Sequence, residues 1–247
     1  AIKSGDITLT STTATSVTEG TATFNEMTMG NYLVLIEGGM KIYSPVAVNL
    51  VPTWNETEWL LNDATATAKA EDITIDKTVN DVEADNVSIG DTVTFDIIAD
   101  IPTFPANALA KNYSISDTLP TGLTLTEGSI RVYGVPAEGN EVLLTEGEGN
   151  DYTLTTGGDT TFTLTFDYDE ISTYADIHVT YTAMLNGNAV PGTANTNNAE
   201  VTYTNNPYVE NSSTTKEDEA TVYTYGLDIS KVDADDKEQT LTGAEFE

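Results

Sequence analysis

Apolar and polar residues alternate along almost every segment of the chain, which is the period-two pattern of a β-strand with one buried face. Examples are DTVTFDIIADIP, TTFTLTFDYD, ADIHVTYTAML and AEVTYTNNP, and Gly, Asn, Asp or Pro bound such segments. No stretch combines helix caps with a sustained 3.6-residue apolar period, although FPANALAKN and NETEWLLND suggest short turns. The pattern predicts an all-β protein built from tandem Ig-like β-sandwich domains.

The strand pattern divides into three blocks. Residues 1–70 hold the predicted strands TATFNEM, NYLVLIEG and YSPVAVNLVP, residues 71–225 extend to EATVYTY, and residues 226–247 begin a further domain. No Pro-rich or Gly/Ser-rich linker separates the blocks, so we expect a stiff, elongated rod. AIKSGDITLT lacks the regions of a signal peptide and LTGAEFE stops inside a strand pattern. We therefore expect a fragment of a longer, exported protein.

Composition and charge exclude several functional classes. The chain has 247 residues and is 39% hydrophobic, which favours globular domains over disorder. Forty acidic residues against nine basic ones give a net charge of −31, which disfavours binding to nucleic acid or anionic lipid. There is no cysteine, so disulfides and thiolate chemistry are unavailable. No apolar run approaches the roughly 18 residues of a membrane span, so no membrane insertion is expected in this fragment.

The sequence gives little support for a metal or cofactor site. The acidic clusters DADD and EGEGND lack the spaced ligands of an EF-hand loop, so a solvated acidic face is the simpler interpretation. His178 is the only histidine, and it lies on the opposite face of its strand from Ile177 and Val179. We expect neither a metal nor a cofactor.

Three polar residues fall on strand faces that are otherwise apolar. Lys77 shares a strand face with Ile73, Ile75 and Val79 of DITIDKTVND. Asp117 takes such a position in NYSISDTLPTGL, and Asn197 does so in NTNNAEVTYTNNP. An unpaired buried ammonium is so costly that it must lose its proton, find a partner or react.

Each of these residues alone has an ordinary explanation: a snorkelling lysine, a turn-capping aspartate and a backbone-bonded asparagine. Together they suit one reaction, in which a neutral Lys77 amine attacks the Asn197 carboxamide while a protonated Asp117 polarises its C=O and shuttles protons. Ammonia leaves and an isopeptide bond remains. Asn198 follows directly and stays an alternative, because only the strand register selects between the two asparagines.

Four segments, DITIDKTVND, SIGDTVTFDIIADIP, YSISDTLPTGLTL and NNAEVTYTNNP, occur in this order. They resemble the isopeptide-forming middle domain of sortase-assembled pilins, the backbone subunits of Gram-positive fimbriae. The resemblance covers most of residues 71–225 and implies a Cna-type sandwich. It also implies that Lys77 and Asn197 are bonded, that Asp117 is the catalytic acid, and that the only chemistry is this single self-reaction, so the protein is not an enzyme.

The flanking blocks carry weaker resemblances. GNYLVLIEGGMKIYSPVAVNLVP resembles the N-terminal pilin domain, and WLLNDATATAK stands where such domains carry the pilin motif, which makes Lys69 the candidate sortase nucleophile. Alanine and threonine replace the usual valine, tyrosine and proline there, so an ordinary exposed junction lysine is the alternative. YGLDISKVDADD and LTGAEFE resemble the start of a collagen-adhesin B-type domain, with Lys231 as its bonding lysine. Its acid and asparagine would lie beyond Glu247, so Lys231 is expected to be unbonded.

The resemblance implies a secreted, structural and adhesive backbone subunit of a pilus at the cell wall. Its implied partners are further subunits in a covalent polymer, the sortase, and host surface ligands. The alternative is a non-polymerising, wall-anchored adhesin built from the same domains, in which Lys69 has no special role. A carbohydrate-active enzyme on a β-sandwich is a third class, but nothing in the sequence indicates a substrate.

Overall fold

The computed structural model describes residues 10–226 and 230–240, and these form two compact units. The first unit comprises Ala1–Ile36 and Ser44–Lys69, and the second comprises Glu37–Tyr43 and Ala70–Glu247. The predicted domain bounds of 1–70, 71–225 and 226–247 stay a prediction. No helix in the described part of the chain is long and apolar enough to cross a membrane.

The described elements are almost all strands, which confirms the all-β prediction. In chain order they are β1 (Ser16–Thr18), β2 (Thr21–Thr23), β3 (Gly30–Val34), β4 (Ile42–Tyr43), β5 (Val46–Leu50), β6 (Thr53–Trp54), β7 (Trp59–Leu60), β8 (Ala70–Glu71), β9 (Ile75–Val79), β10 (Ala84–Asn86), β11 (Thr92–Asp100), β12 (Tyr113–Thr118), β13 (Leu123–Leu125), β14 (Arg131–Val135), β15 (Val142–Leu143), β16 (Tyr152–Thr156), β17 (Thr161–Phe166), α1 (Tyr168–Ile171), β18 (Asp176–Leu185), β19 (Asn195–Tyr203) and β20 (Thr214–Tyr223).

The first unit consists of small antiparallel pairs: β1 with β2, β3 with β5, and β6 with β7. β3 and β5 bury alternate residues only partly. The turn between β6 and β7 is fixed by Asn55, whose side-chain oxygen accepts hydrogen bonds from the backbone of Thr57 at 3.0 Å and of Glu58 at 2.8 Å. This is the turn chemistry expected of an asparagine side chain that bonds its own chain two or three residues on.

The second unit is built on two six-stranded sheets. One has the order β10-β20-β19-β12-β17-β16, and the other has the order β15-β14-β18-β11-β9 with β13 also paired to β18. Every pairing is antiparallel except that of β10 with β20. β9 is therefore an edge strand, while β12 and β19 lie side by side within the opposite sheet.

The sheets share one hydrophobic core, to which the long strands β11, β12, β18 and β19 contribute every second residue. Those alternate residues are β-branched or aromatic in most positions, the types that pack well on a pleated surface. The main contributors from the two sheets are Val93, Phe95, Ile97, Ile177, Val179, Tyr181, Tyr113, Ile115, Phe162, Leu164, Val201, Tyr203 and Val222. This arrangement is a β-sandwich, and it places any polar residue at an inward position inside a dry layer.

Two local features differ from the sequence analysis. The segment Glu37–Tyr43 belongs to the second unit, where β4 pairs with β8 and the side-chain amide of Asn205 donates to the Gly39 carbonyl at 2.8 Å. The one-turn helix α1 was not predicted. Asp167 caps it by accepting from the Asp169 backbone at 3.1 Å, and its spacing to Glu170 is the sequence signal of a helix start.

Candidate functional site

Lys77, Asp117 and Asn197 come together in the core of the second unit. Lys77 projects from β9, whereas Asp117 and Asn197 project from β12 and β19 of the opposite sheet. Asp117 of β12 pairs with Ala199 of β19. Asn197 lies two residues before Ala199, on the same face of that strand. The exposed fractions are 0% for Lys77, 1% for Asp117 and 0% for Asn197.

A hydrogen-bonded network joins these three side chains through Tyr181 of β18. The Lys77 amine donates to Asp117 Oδ2 and to the Tyr181 hydroxyl, which lies 3.0 Å from Nζ. The hydroxyl in turn donates to Asp117 Oδ2 at 2.9 Å and accepts from Asn197 Nδ2 at 2.6 Å. Lys77 thus contacts Asp117 directly, and the Tyr181 hydroxyl bridges both of them to Asn197.

The surroundings of the network are aromatic. The Phe95 ring stacks on Tyr181 with 5.4 Å between centroids, and the Phe162 ring meets Tyr181 edge-on at 5.1 Å. Lys77 Nζ lies 5.1 Å from the Phe95 centroid. Rings on these sides exclude water, so the local dielectric is low and charged forms are disfavoured.

Burial shifts the protonation of both reactive groups towards their neutral forms. Desolvation lowers the pKa of the Lys77 amine, and the nearby Asp117 and Asp218 carboxylates offset only part of that shift. Desolvation also raises the pKa of the Asp117 carboxyl, against the opposing influence of Lys77 and Tyr181. A neutral amine beside a protonated carboxyl is the pair that nucleophilic attack on an amide requires.

Two oxygen atoms of the site lack partners. Among the described residues, the buried side-chain atoms without a hydrogen bond are Asp117 Oδ1 and Asn197 Oδ1. Leaving a buried acceptor unsatisfied costs about 1–3 kcal/mol, and two acceptors cannot satisfy each other. A proton on Asp117 converts one of them into a donor, so the unpaired oxygens agree with the neutral acid that burial favours.

Residues 89–207 match the model of a family described as Gram-positive pilin backbone subunit 2, Cna-B-like domain. The matched segment contains Asp117 and Asn197, and Lys77 precedes it. Residues 89–207 lie in the second unit, so most of that unit is similar to a Gram-positive pilin backbone domain, as the resemblance predicted.

Individual relatives agree with this match. The trypsin-resistant surface T6 protein of Streptococcus pyogenes serotype M6 is 28% identical over an alignment 279 positions long, which covers 99% of this chain and 51% of that protein. The solved T6 backbone pilin of the same serotype superposes with a TM-score of 0.70 at 25% identity, covering 90% of this chain and 52% of that one. SpaD, a major pilin of Corynebacterium diphtheriae, shares the fold, with a TM-score of 0.56 at 23% identity over 84% of this chain and 50% of that one. The chain spans about half the length of these relatives.

The sequence analysis of this chain missed Tyr181 and Asp218. Tyr181 takes an inward position in ADIHVTYTAML, so the alternation that singled out Lys77 also applied to its polar hydroxyl. Asp218 of β20 accepts a hydrogen bond from the Lys77 backbone N–H at 2.7 Å. Asp218 thereby binds the free edge of β9 at Lys77, the residue that carries the amine. The sequence of the acidic strand β20 gave no signal of that contact.

The other predicted positions lie outside this cluster. Asn198 is half-buried on the outer face of β19. Lys69 is exposed, and its carbonyl accepts from the Ser44 backbone at 2.9 Å. Lys231 is also exposed, while much of the strand pattern that follows it falls in residues 241–247, outside the described part of the chain.

His178 has a surface role in the second unit. Its ring nitrogens contact Asp96 at 3.0 Å and Glu141 at 2.9 Å on the outer face of the sheet. Burial alone would lower the pKa of His178, but the hydrogen bonds and charges of the two carboxylates raise it. Within residues 10–226 and 230–240, no group of three or more His, Cys, Asp or Glu residues is arranged to hold a metal ion.

Proposed function

We propose that this chain is a large part of a pilus backbone subunit, and that an isopeptide bond between Lys77 and Asn197 staples its second unit. The observation that carries the proposal is the buried contact network of the amine, the carboxyl and the carboxamide. The similarity to a pilin backbone domain and to a streptococcal surface protein supports the structural role and a location on the bacterial surface. Polymerisation, the sortase and host ligands are parts of this proposal.

The proposed reaction balances without any outside reagent. The lone pair of Lys77 Nζ forms a bond to Cγ of Asn197, and Asp117 donates a hydrogen bond to the amide oxygen as negative charge develops there. The bond from Cγ to Nδ2 then breaks. One proton passes from Nζ to Nδ2, so the products are a secondary amide and ammonia, and Asp117 remains protonated throughout.

The composition supplies a reason for such a bond. A chain without cysteine cannot use a disulfide to close its domain. The two residues lie in opposite sheets, so a bond between them would cross the core of the sandwich. Unlike a disulfide, an amide bond does not respond to reductants, which suits a protein on the outer surface of a cell.

Intact-mass measurement tests the proposal. We expect the purified chain to be lighter than its sequence mass by one molecule of ammonia. A protease map should then contain a branched peptide that joins Lys77 to Asn197. A mass equal to that of the plain sequence would reject the bond, and a branch at Asn198 would reject the residue assignment.

The polymerisation part of the proposal predicts that Lys69 accepts the next subunit. We expect Lys69→Ala to abolish the polymer ladder when the protein is incubated with the cognate sortase and a donor that carries a sorting signal. Lys231→Ala is the matched control, since Lys231 is also an exposed lysine, and its ladder should equal that of the wild type.

The pattern of ladders also separates the pilin from its alternative. Persistence of the ladder in Lys69→Ala would show that another lysine, such as Lys41, receives the bond. Absence of a ladder from the wild-type protein would favour the non-polymerising adhesin built from the same domains.

A further inference from the structure

We propose that the Tyr181 hydroxyl is a catalytic proton relay between the Lys77 amine and the departing nitrogen of Asn197. This inference rests on the proposed isopeptide reaction and adds a fourth residue to it. The two nitrogen atoms that exchange roles in that reaction, Nζ and Nδ2, lie 3.0 Å and 2.6 Å from the same hydroxyl oxygen. The Tyr181 oxygen therefore bridges the two nitrogens.

The hydroxyl is fully occupied in this position. A hydroxyl has one hydrogen to donate and two lone pairs to accept with. Tyr181 donates its hydrogen to Asp117 Oδ2 and accepts one hydrogen from each nitrogen. It therefore orients the carboxamide nitrogen towards the amine side of the site, which positions the leaving group before any bond forms.

The same contacts decide which oxygen of Asp117 carries the acidic proton. Oδ2 already accepts hydrogen bonds from Lys77 and Tyr181, so the proton of the neutral acid belongs on Oδ1. Oδ1 and the Asn197 oxygen are the two buried atoms without partners. Because Tyr181 and Lys77 occupy Oδ2, the acid proton on Oδ1 of Asp117 is left to hydrogen-bond the amide oxygen of Asn197. There it can stabilise the negative charge that develops during attack.

The relay step conserves protons and electrons. As Nζ bonds to Cγ of Asn197, Nζ passes a proton to the Tyr181 oxygen. The hydroxyl hydrogen turns from Asp117 Oδ2 to Nδ2 and is transferred as the bond from Cγ to Nδ2 breaks. Ammonia leaves and Tyr181 is again a neutral phenol, consistent with the burial that raises its pKa well above the usual value.

Tyr181→Phe tests the relay with little change of shape. The variant keeps the ring that packs on Phe95 and Phe162 and removes only the oxygen. Tyr113→Phe is the matched control, because Tyr113 is equally buried but its hydroxyl donates to the Ala99 carbonyl at 3.2 Å, outside the network. Bond formation would be followed by intact mass in pulse-labelled cell-free synthesis, quenched in denaturant at increasing times.

We expect Tyr113→Phe to lose ammonia at the wild-type rate and Tyr181→Phe to lose it at least about 100-fold more slowly, the lower range for general acid–base catalysis. Tyr181→Phe in a Lys77→Met background measures the structural cost alone, since no bond can form there. A small change in melting temperature in that background, together with the slow reaction, assigns the effect to chemistry.

Two outcomes separate the failure of this inference from that of the proposed function. If the wild-type protein never loses ammonia, the isopeptide proposal itself fails. If the wild type forms the bond and Tyr181→Phe forms it equally fast, the relay is wrong.

A second variant covers the case in which Tyr181→Phe does not fold. Replacing Tyr181 by fluorotyrosine keeps the hydroxyl and makes it more acidic, so the rate of bond formation should change. An unchanged rate would overturn the relay.

Discussion

Asp117→Ala is expected to give a folded second unit in which Lys77 and Asn197 remain unbonded in nearly all molecules. The substitution removes the only carboxyl in direct contact with the Lys77 amine among the described residues. Without it, nothing supplies a proton to the amide oxygen during attack, and loss of such a group slows reactions by about 10²–10⁴-fold. The variant should therefore keep its full sequence mass over the time of a normal preparation.

Asp96→Ala is the matched control for that experiment. Asp96 belongs to the same sandwich but contacts His178 on the outer face of β11. Its removal should leave the loss of ammonia complete. Full cross-linking of Asp117→Ala would show that the acid has been misassigned, and Asp218 would become the leading candidate because its carboxylate already contacts the backbone of Lys77.

The strand periodicity was sufficient to place the reactive residues on inward faces. Lys77, Asp117 and Asn197 all lie in strands whose alternate residues are apolar, so one rule assigned each of them to the core. The same rule puts Asn197 inside and Asn198 outside, as the structure has them. Their chemical roles stay predictions, since burial and contact are necessary for the reaction but do not demonstrate it.

Contacts across the core could not be predicted in the same way. Period-two alternation tells which residues face inward, but the pairing of Tyr181 with Lys77, Asp117 and Asn197 depends on how two sheets pack. The Asp218 contact with the edge of β9 likewise depends on the neighbouring sheet. Both contacts are properties of the assembled sandwich rather than of a single strand.

Lys77→Ala is expected to lower the melting temperature of the second unit and to make it cleavable by trypsin. The proposed bond closes a loop of 120 residues, the separation between positions 77 and 197. By analogy with disulfides, closing a loop of about 100 residues stabilises a fold by up to roughly 4.7 kcal/mol through the unfolded state. At roughly 2–4 °C per kcal/mol for a domain of this size, the melting temperature should fall by up to about 10–20 °C.

Two further variants separate the bond from simple packing loss. Lys77→Met fills the space of the lysine stem, so its melting temperature reports loss of the bond with little added cavity. Lys231→Ala removes an exposed lysine and should change neither melting nor proteolysis. Cleavage by trypsin within the sandwich, at a site such as Arg131 of β14, requires local opening of the strand, which a cross-linked core would suppress. Equal melting curves and equal protease resistance for wild type, Lys77→Ala and Lys77→Met would refute the stapling role even if the bond were found, because a staple that bears on stability must change the cost of unfolding.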